Sequence, residues 1–142
     1  MPFSNGQVGI LDGVSVTLSV VDPANGVEHP VQLSHPEIDK AKASYADLKV
    51  PNGVAGVAVI AATVDNRDHM LTVLSGFRPK EGAPVLVFDQ TGRFLRHIRF
   101  AIATRPDGKP IVPASVGTSD SQVFLVDGRG MVEVFSLLDI DP

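Results

Sequence analysis

The sequence predicts a mostly-β fold of antiparallel meanders with one short helix. Asn-Gly or Asp-Gly pairs recur at Asn5-Gly6, Asp12-Gly13, Asn25-Gly26, Asn52-Gly53, Asp107-Gly108 and Asp127-Gly128. Such pairs supply the positive φ that tight hairpin turns need. Between them lie short runs rich in Val, Ile, Leu and Phe, which is strand chemistry. One stretch, Ser34 to Lys49, has helical spacing instead.

Strands are expected at Gln7–Leu11, Val14–Val21, Val27–Leu33, Val54–Ala62, His69–Ser75, Pro84–Asp89, Arg93–Phe100, Pro110–Val116, Gln122–Asp127 and Met131–Leu137. Val54–Ala62 is small and apolar throughout, which predicts burial on both sides or close packing against a neighbour. In Arg93–Phe100, alternation places Phe94, Arg96, Ile98 and Phe100 on one face and Arg93, Leu95, His97 and Arg99 on the other. The first of these faces is expected to be buried and the second wet. Ser34-His35-Pro36-Glu37 has capping-box spacing, with Ser34 at the cap and Glu37 three residues on. Pro36 is tolerated there because the first-turn amides have no helical partner. Ile38, Ala41, Tyr45 and Leu48 then recur at helical spacing. A helix around residues 35–48 is expected, ending before Pro51-Asn52-Gly53.

The chain has 142 residues, a net charge of −4, 44% hydrophobic residues and no Cys. That length and apolar content fit one domain, residues 1–142, with a core large enough to fold without staples. Zero Cys excludes disulfide scaffolds, thiol nucleophiles, Cys-ligated zinc and iron–sulfur clusters. The acidic balance argues against a general nucleic-acid binder. Met1 to Gly6 has neither the basic nor the apolar region of a signal peptide. The longest apolar run, Val54 to Val64, is too short to span a bilayer. A soluble, cytoplasmic protein without membrane association is the expectation.

Three segments repeat one design. Ser19–Leu33, Leu86–Phe100 and Phe124–Leu137 each contain an apolar strand, an Asp (Asp22, Asp89, Asp127), a turn closed by Gly (Gly26, Gly92, Gly130) and a second strand. The Asp can bond the turn's own amides while the Gly takes the positive φ. Asp89 and Asp127 are 38 residues apart, and Met70-Leu71-Thr72-Val73 resembles Pro110-Ile111-Val112-Pro113 at a spacing of 40. A period near 40 residues with several short strands per unit fits β-propeller-like blades. The units fall at about residues 7–33, 51–100 and 101–138, with a helical insertion at 34–49. A β-sandwich or barrel with one helix, built from the same hairpins, is the alternative.

Val85-Leu86-Val87-Phe88-Asp89-Gln90-Thr91-Gly92-Arg93-Phe94-Leu95-Arg96-His97-Ile98 resembles the outer hairpin of an NHL-type propeller repeat. Val50-Pro51-Asn52-Gly53-Val54-Ala55-Gly56-Val57-Ala58-Val59 is similar to the inner-strand entry of that repeat. Phe124–Asp127 with Val132–Phe135 resembles a second copy that lacks the charged position after the Gly. The resemblance implies a binding or assembly scaffold. A closed propeller needs at least four blades. The chain holds two to three, so a homo-oligomer or a protein partner is expected to complete the structure.

The sequence carries no convergent catalytic motif. No His-x-x-x-His spacing, nucleophile elbow or phosphate loop occurs among its four His and its Ser and Gly clusters. No cofactor is expected. Between residues 78 and 109, Arg78, Lys80, Arg93, Arg96, Arg99, Arg105 and Lys109 face only Glu81, Asp89 and Asp107, a local balance of +4. Arg93, Arg96, Arg99 and His97 are the candidate anion-facing residues. Some NHL propellers bind RNA, so the resemblance keeps RNA open as an anionic partner. The leading expectation is a non-enzymatic binding or assembly module that engages a protein or anionic partner through a rim or edge. The alternative is a metal-dependent lactonase- or hydrolase-like propeller enzyme. Asp65, Asn66 and Asp68 are its candidate metal ligands, with Asp107 and Asp120 completing the pool of oxygen donors.

Overall fold

A computed structural model describes residues 1–46, 56–75, 81–109 and 113–136, with the side chains of 45 and 46 left aside. Ten strands and one helix follow in order: β1 (Val8–Asp12), β2 (Thr17–Asp22), β3 (Val27–Gln32), α1 (Pro36–Ala46), β4 (Val59–Val64), β5 (Met70–Leu74), β6 (Ala83–Phe88), β7 (Phe94–Phe100), β8 (Pro113–Thr118), β9 (Gln122–Asp127) and β10 (Val132–Ser136). The described residues form a mostly-β fold of three antiparallel meanders, with no closed barrel among them. The first sheet runs β1-β2-β3, the central sheet β4-β5-β6-β7 and the third sheet β8-β9-β10. No helix among the described residues is long and apolar enough to cross a membrane.

The expected Asp-to-Gly turns join the hairpins. The Asp89 carboxylate accepts the amides of Thr91 and Arg93, and the Gly92 amide donates to the Asp89 carbonyl. Asp127 does the same with Arg129 and Met131, and the Gly130 amide donates to the Asp127 carbonyl. Asp22 accepts the Ala24 amide and Gly26 donates back to Asp22. These side-chain bonds replace water at the turn amides and so set where each strand stops.

Several boundaries differ from the sequence expectation. Val14 to Val16 form a turn rather than the start of β2, because the Val16 amide donates to Asp12 and Val16 takes a φ of 61°. The strand expected from Val54 begins at Val59, and residues 50–55 lie outside the described set. So do Gly76, Phe77, Arg78, Lys80, residues 110–112, Leu137 and the expected last turn of the helix. Beyond Val59, β4 is half-buried rather than buried on both faces, and it packs closely between β5 and β8. The strands buried on both faces are the interior ones, β5 and β6.

Two apolar clusters explain this. One joins Leu18 and Val20 of the first sheet, Leu33, and Ile38 and Ala41 of α1 to Met70, Leu74, Leu86 and Phe88. The other joins Leu71, Val73, Val85 and Val87 to Val116, Val123 and Leu125 of the third sheet. The central sheet is therefore sandwiched, with the first sheet and helix on one face and the third sheet on the other. Burying each such Leu or Phe side chain contributes about 1.5–3 kcal/mol. β8 also runs beside β4, and the Thr118 hydroxyl donates to the Val64 carbonyl at 2.8 Å.

Candidate functional site

The densest cluster of functional side chains lies where the start of α1 crosses β7. His35, not Ser34, caps the helix. Its Nδ1 accepts the Glu37 amide at 3.1 Å, and its carbonyl accepts the Ile38 amide. Glu37 does not close a capping box. Its carboxylate reaches Lys40 at 2.6 Å and, across the structure, Arg99 at 3.2 Å. The Lys40 bond, with Arg99 adding attraction, holds the Glu37 carboxyl below the usual range.

A β-bulge builds the aromatic half of this site. Val87 pairs with Arg96, but Phe88 pairs with Phe94, so Leu95 is the extra residue in β7. One inserted residue reverses the facing of all that precede it. Phe94 therefore leaves the Ile98–Phe100 face where strict alternation placed it and joins His97. Its ring lies 4.5 Å from His35 and 5.9 Å from Phe88. The His35 and His97 rings are 5.6 Å apart. Burial, then the Arg99 cation, lowers the His97 pKa, while Glu37 opposes the shift.

Beside this cluster is a polar cleft of about 140 Å³, lined by Glu37, Lys40, Ser75, Glu81, Pro84 and Arg99. A water occupies about 30 Å³ and ligand pockets run to roughly 300 Å³ and more. The cleft therefore suits a few waters or one small ion rather than an organic substrate. The Ser75 hydroxyl donates to the Ala58 carbonyl.

The four anion-facing candidates do not converge. Arg93 sits at the hairpin turn and bonds Asp89 at 3.0 Å. Arg99 bonds Glu37. Register places Arg96 beside Val87, on the opposite face from His97 and Arg99. Only His97 and Arg99 come together. Their neighbours His35, Glu37 and Lys40 carried no functional mark in the sequence. Capping-box spacing singled out Glu37 as a local feature, but nothing in the spacing reveals a partner 62 residues away.

The candidate metal ligands form a turn. Asp65 accepts the amides of Arg67 and His69, each at 2.8 Å. Asp68 accepts both the amide and the hydroxyl of Ser4, and Asn66 is exposed. Asp107 accepts the Lys109 amide, and Asp120 is exposed on the loop before β9. Among the described residues, no group of three or more His, Cys, Asp or Glu is placed to hold a metal ion.

A second surface is apolar. On the third sheet, Val123 and Leu125 face the core, so Phe124 and Val126 face away from it. Register adds Val132 beside Val126 and Val134 beside Phe124. Val132 and Val134 are 53% and 52% exposed. No protein-family model and no curated protein matches the chain.

Proposed function

We propose that the chain is a non-enzymatic binding or assembly module that engages a protein partner through an exposed sheet surface. The apolar outer face of the third sheet carries this reading. Apolar side chains that are half-exposed on neighbouring strands gain free energy when another surface covers them. An anionic partner has less support. Arg93 and Arg99 already bond carboxylates, and Arg96 points away from Arg99. The lactonase-like alternative would draw on Asp65, Asn66 and Asp68, but the Asp65 carboxylate is engaged by turn amides and that of Asp68 by Ser4.

The NHL-like reading of the hairpins rests on the recurring Asp-to-Gly turns. The sandwich reading has the better physical support. Successive propeller blades are related by rotation, so equivalent side chains point the same way around the ring. Val87 and Leu125 hold equivalent places before Asp89 and Asp127, yet both bury in one cluster.

A photo-cross-linker placed at position 134 tests the binding reading in cells that make the protein. A discrete adduct from position 134, absent from exposed position 42 on α1, is the expected result. No adduct from position 134, together with a melting temperature that rises with one divalent ion, would overturn it in favour of the metal-dependent alternative.

A further inference from the structure

We infer that His35 is an acid-sensitive latch, whose protonation frees the start of α1 from the central sheet while the sheets stay folded. The inference is independent of the partner reading and concerns how the chain responds to its surroundings.

The cap and a second ring proton exclude each other. Pro36 has no amide hydrogen, so the Glu37 amide is the first that α1 must satisfy. Its acceptor is the His35 Nδ1 at 3.1 Å. A bare Nδ1 puts the single proton of the neutral ring on Nε2, and Nδ1 is the only atom left to take another. A protonated Nδ1 would aim an N–H at the Glu37 N–H, donor against donor. Asn and Ser, the ordinary caps, accept an amide without titrating. Imidazole is the side chain that ordinarily changes charge between about pH 5 and 8.

The surroundings also oppose a charge on this ring. A helix N-terminus carries a partial positive charge of its own. From β7, the His97 ring lies 5.6 Å away, with the Arg99 guanidinium acting on it. From α1 come Glu37, Asp39 and Lys40, and Glu81, ahead of β6, lines the adjoining cleft. Glu37 is already bonded to Lys40 and Arg99, while Asp39 and Glu81 are exposed to solvent.

α1 is lightly held, so loss of its cap acts locally. Among its described side chains only Ile38 and Ala41 are buried, in the cluster that holds Leu74 and Leu86. Lys42 adds one bond to the Ser15 carbonyl, and Glu37 adds one to Arg99. A short helix with so few anchors opens at a lower free energy than the buried strands β5 and β6. Its opening would uncover the apolar cluster beneath Ile38.

Amide hydrogen exchange of the isotope-labelled full chain tests this, read by NMR at about pH 7.5 and about pH 5.5 and corrected for intrinsic rates. At the lower pH, protection of residues 37–42 should fall about tenfold or more relative to that of Leu71 and Val73 on β5. At the higher pH, the His35 ring nitrogens should show the Nε2–H tautomer. The His35→Asn variant keeps an acceptor that does not titrate, so its helix should be equally protected at both values. Helix protection that stays level with β5 in the wild type would overturn the proposal. So would an Nδ1–H tautomer, or a fall of equal size in His35→Asn.

Discussion

The Nδ1 atom of His35 accepts the backbone amide of Glu37 at 3.1 Å, so an imidazole caps the only helix among the described residues. A cap of this kind satisfies one of the amides that the first helical turn leaves without a partner. Replacing His35 by Ala removes the acceptor and should cost about 1 kcal/mol in urea unfolding. His35→Asn keeps a side-chain acceptor at the cap and should recover most of that loss. Equal destabilisation by the two variants would assign the role of His35 to its packing on Phe94 instead.

Acid should weaken the fold in two stages. Burial and Arg99 depress the His97 pKa below 6.5, so the folded protein resists charging this ring more than the unfolded chain does. Stability from this source is full above about 6.5 and drains as pH falls towards the lower folded value. The groups facing the ring are His35, Glu37, Lys40 and Arg99. The carboxyls of Glu37, Asp89 and Asp127 are depressed from 4.5, 3.8 and 3.8, so their contribution is lost only at lower pH. Urea midpoints measured from pH 8 to pH 3 should show both stages. His97→Gln should flatten the first and leave the second.

Gly92 should tolerate less than Gly26, although both close equivalent hairpin turns. Each has a positive φ, 81° and 69°, where a side chain costs about 1–2 kcal/mol. A Cβ on Gly92 would also collide with the Val31 side chain, whereas a Cβ on Gly26 meets open space. Gly92→Ala should therefore add a packing penalty of about 1–3 kcal/mol beyond that of Gly26→Ala. Thermal melts of the two variants check the difference.

Asp127 is 3% exposed, and Arg105 is the cation beside it. Burial raises its pKa, but the amides of Met131 and Arg129 and the Arg105 guanidinium lower it further, so the carboxylate stays ionised. Arg105→Met leaves that charge with only the turn amides and should destabilise the third sheet at neutral pH. The same change in an Asp127→Asn background should cost clearly less, as a double-mutant cycle would report.

Much of the fold was legible in the sequence. Each of the ten strands among the described residues overlaps a run that the turn pairs and apolar residues placed, with ends that shift by up to five residues. Turn chemistry is local, so Asp89, Gly92, Asp127 and Gly130 could be read from their spacing alone. The candidate site was less legible. His97 and Arg99 stood out as part of a basic run, but Arg93 and Arg96 stood out equally. Only the bulge at Leu95 and the crossing of α1 separate them.

The sequence by itself determined the β class, the helix that follows His35, the Asp-to-Gly hairpins and the exclusion of thiol chemistry. Each follows from the conformational preference or the chemistry of a few neighbouring residues. The tertiary structure decided which faces are covered, which cations already have partners and which sheet is left open. Those depend on contacts between residues far apart in the chain. Val87 and Leu125 share a cluster while Val132 and Val134 remain exposed, although all four read alike as apolar strand residues. Strand periodicity says that a strand has two faces, and only packing says what each face meets.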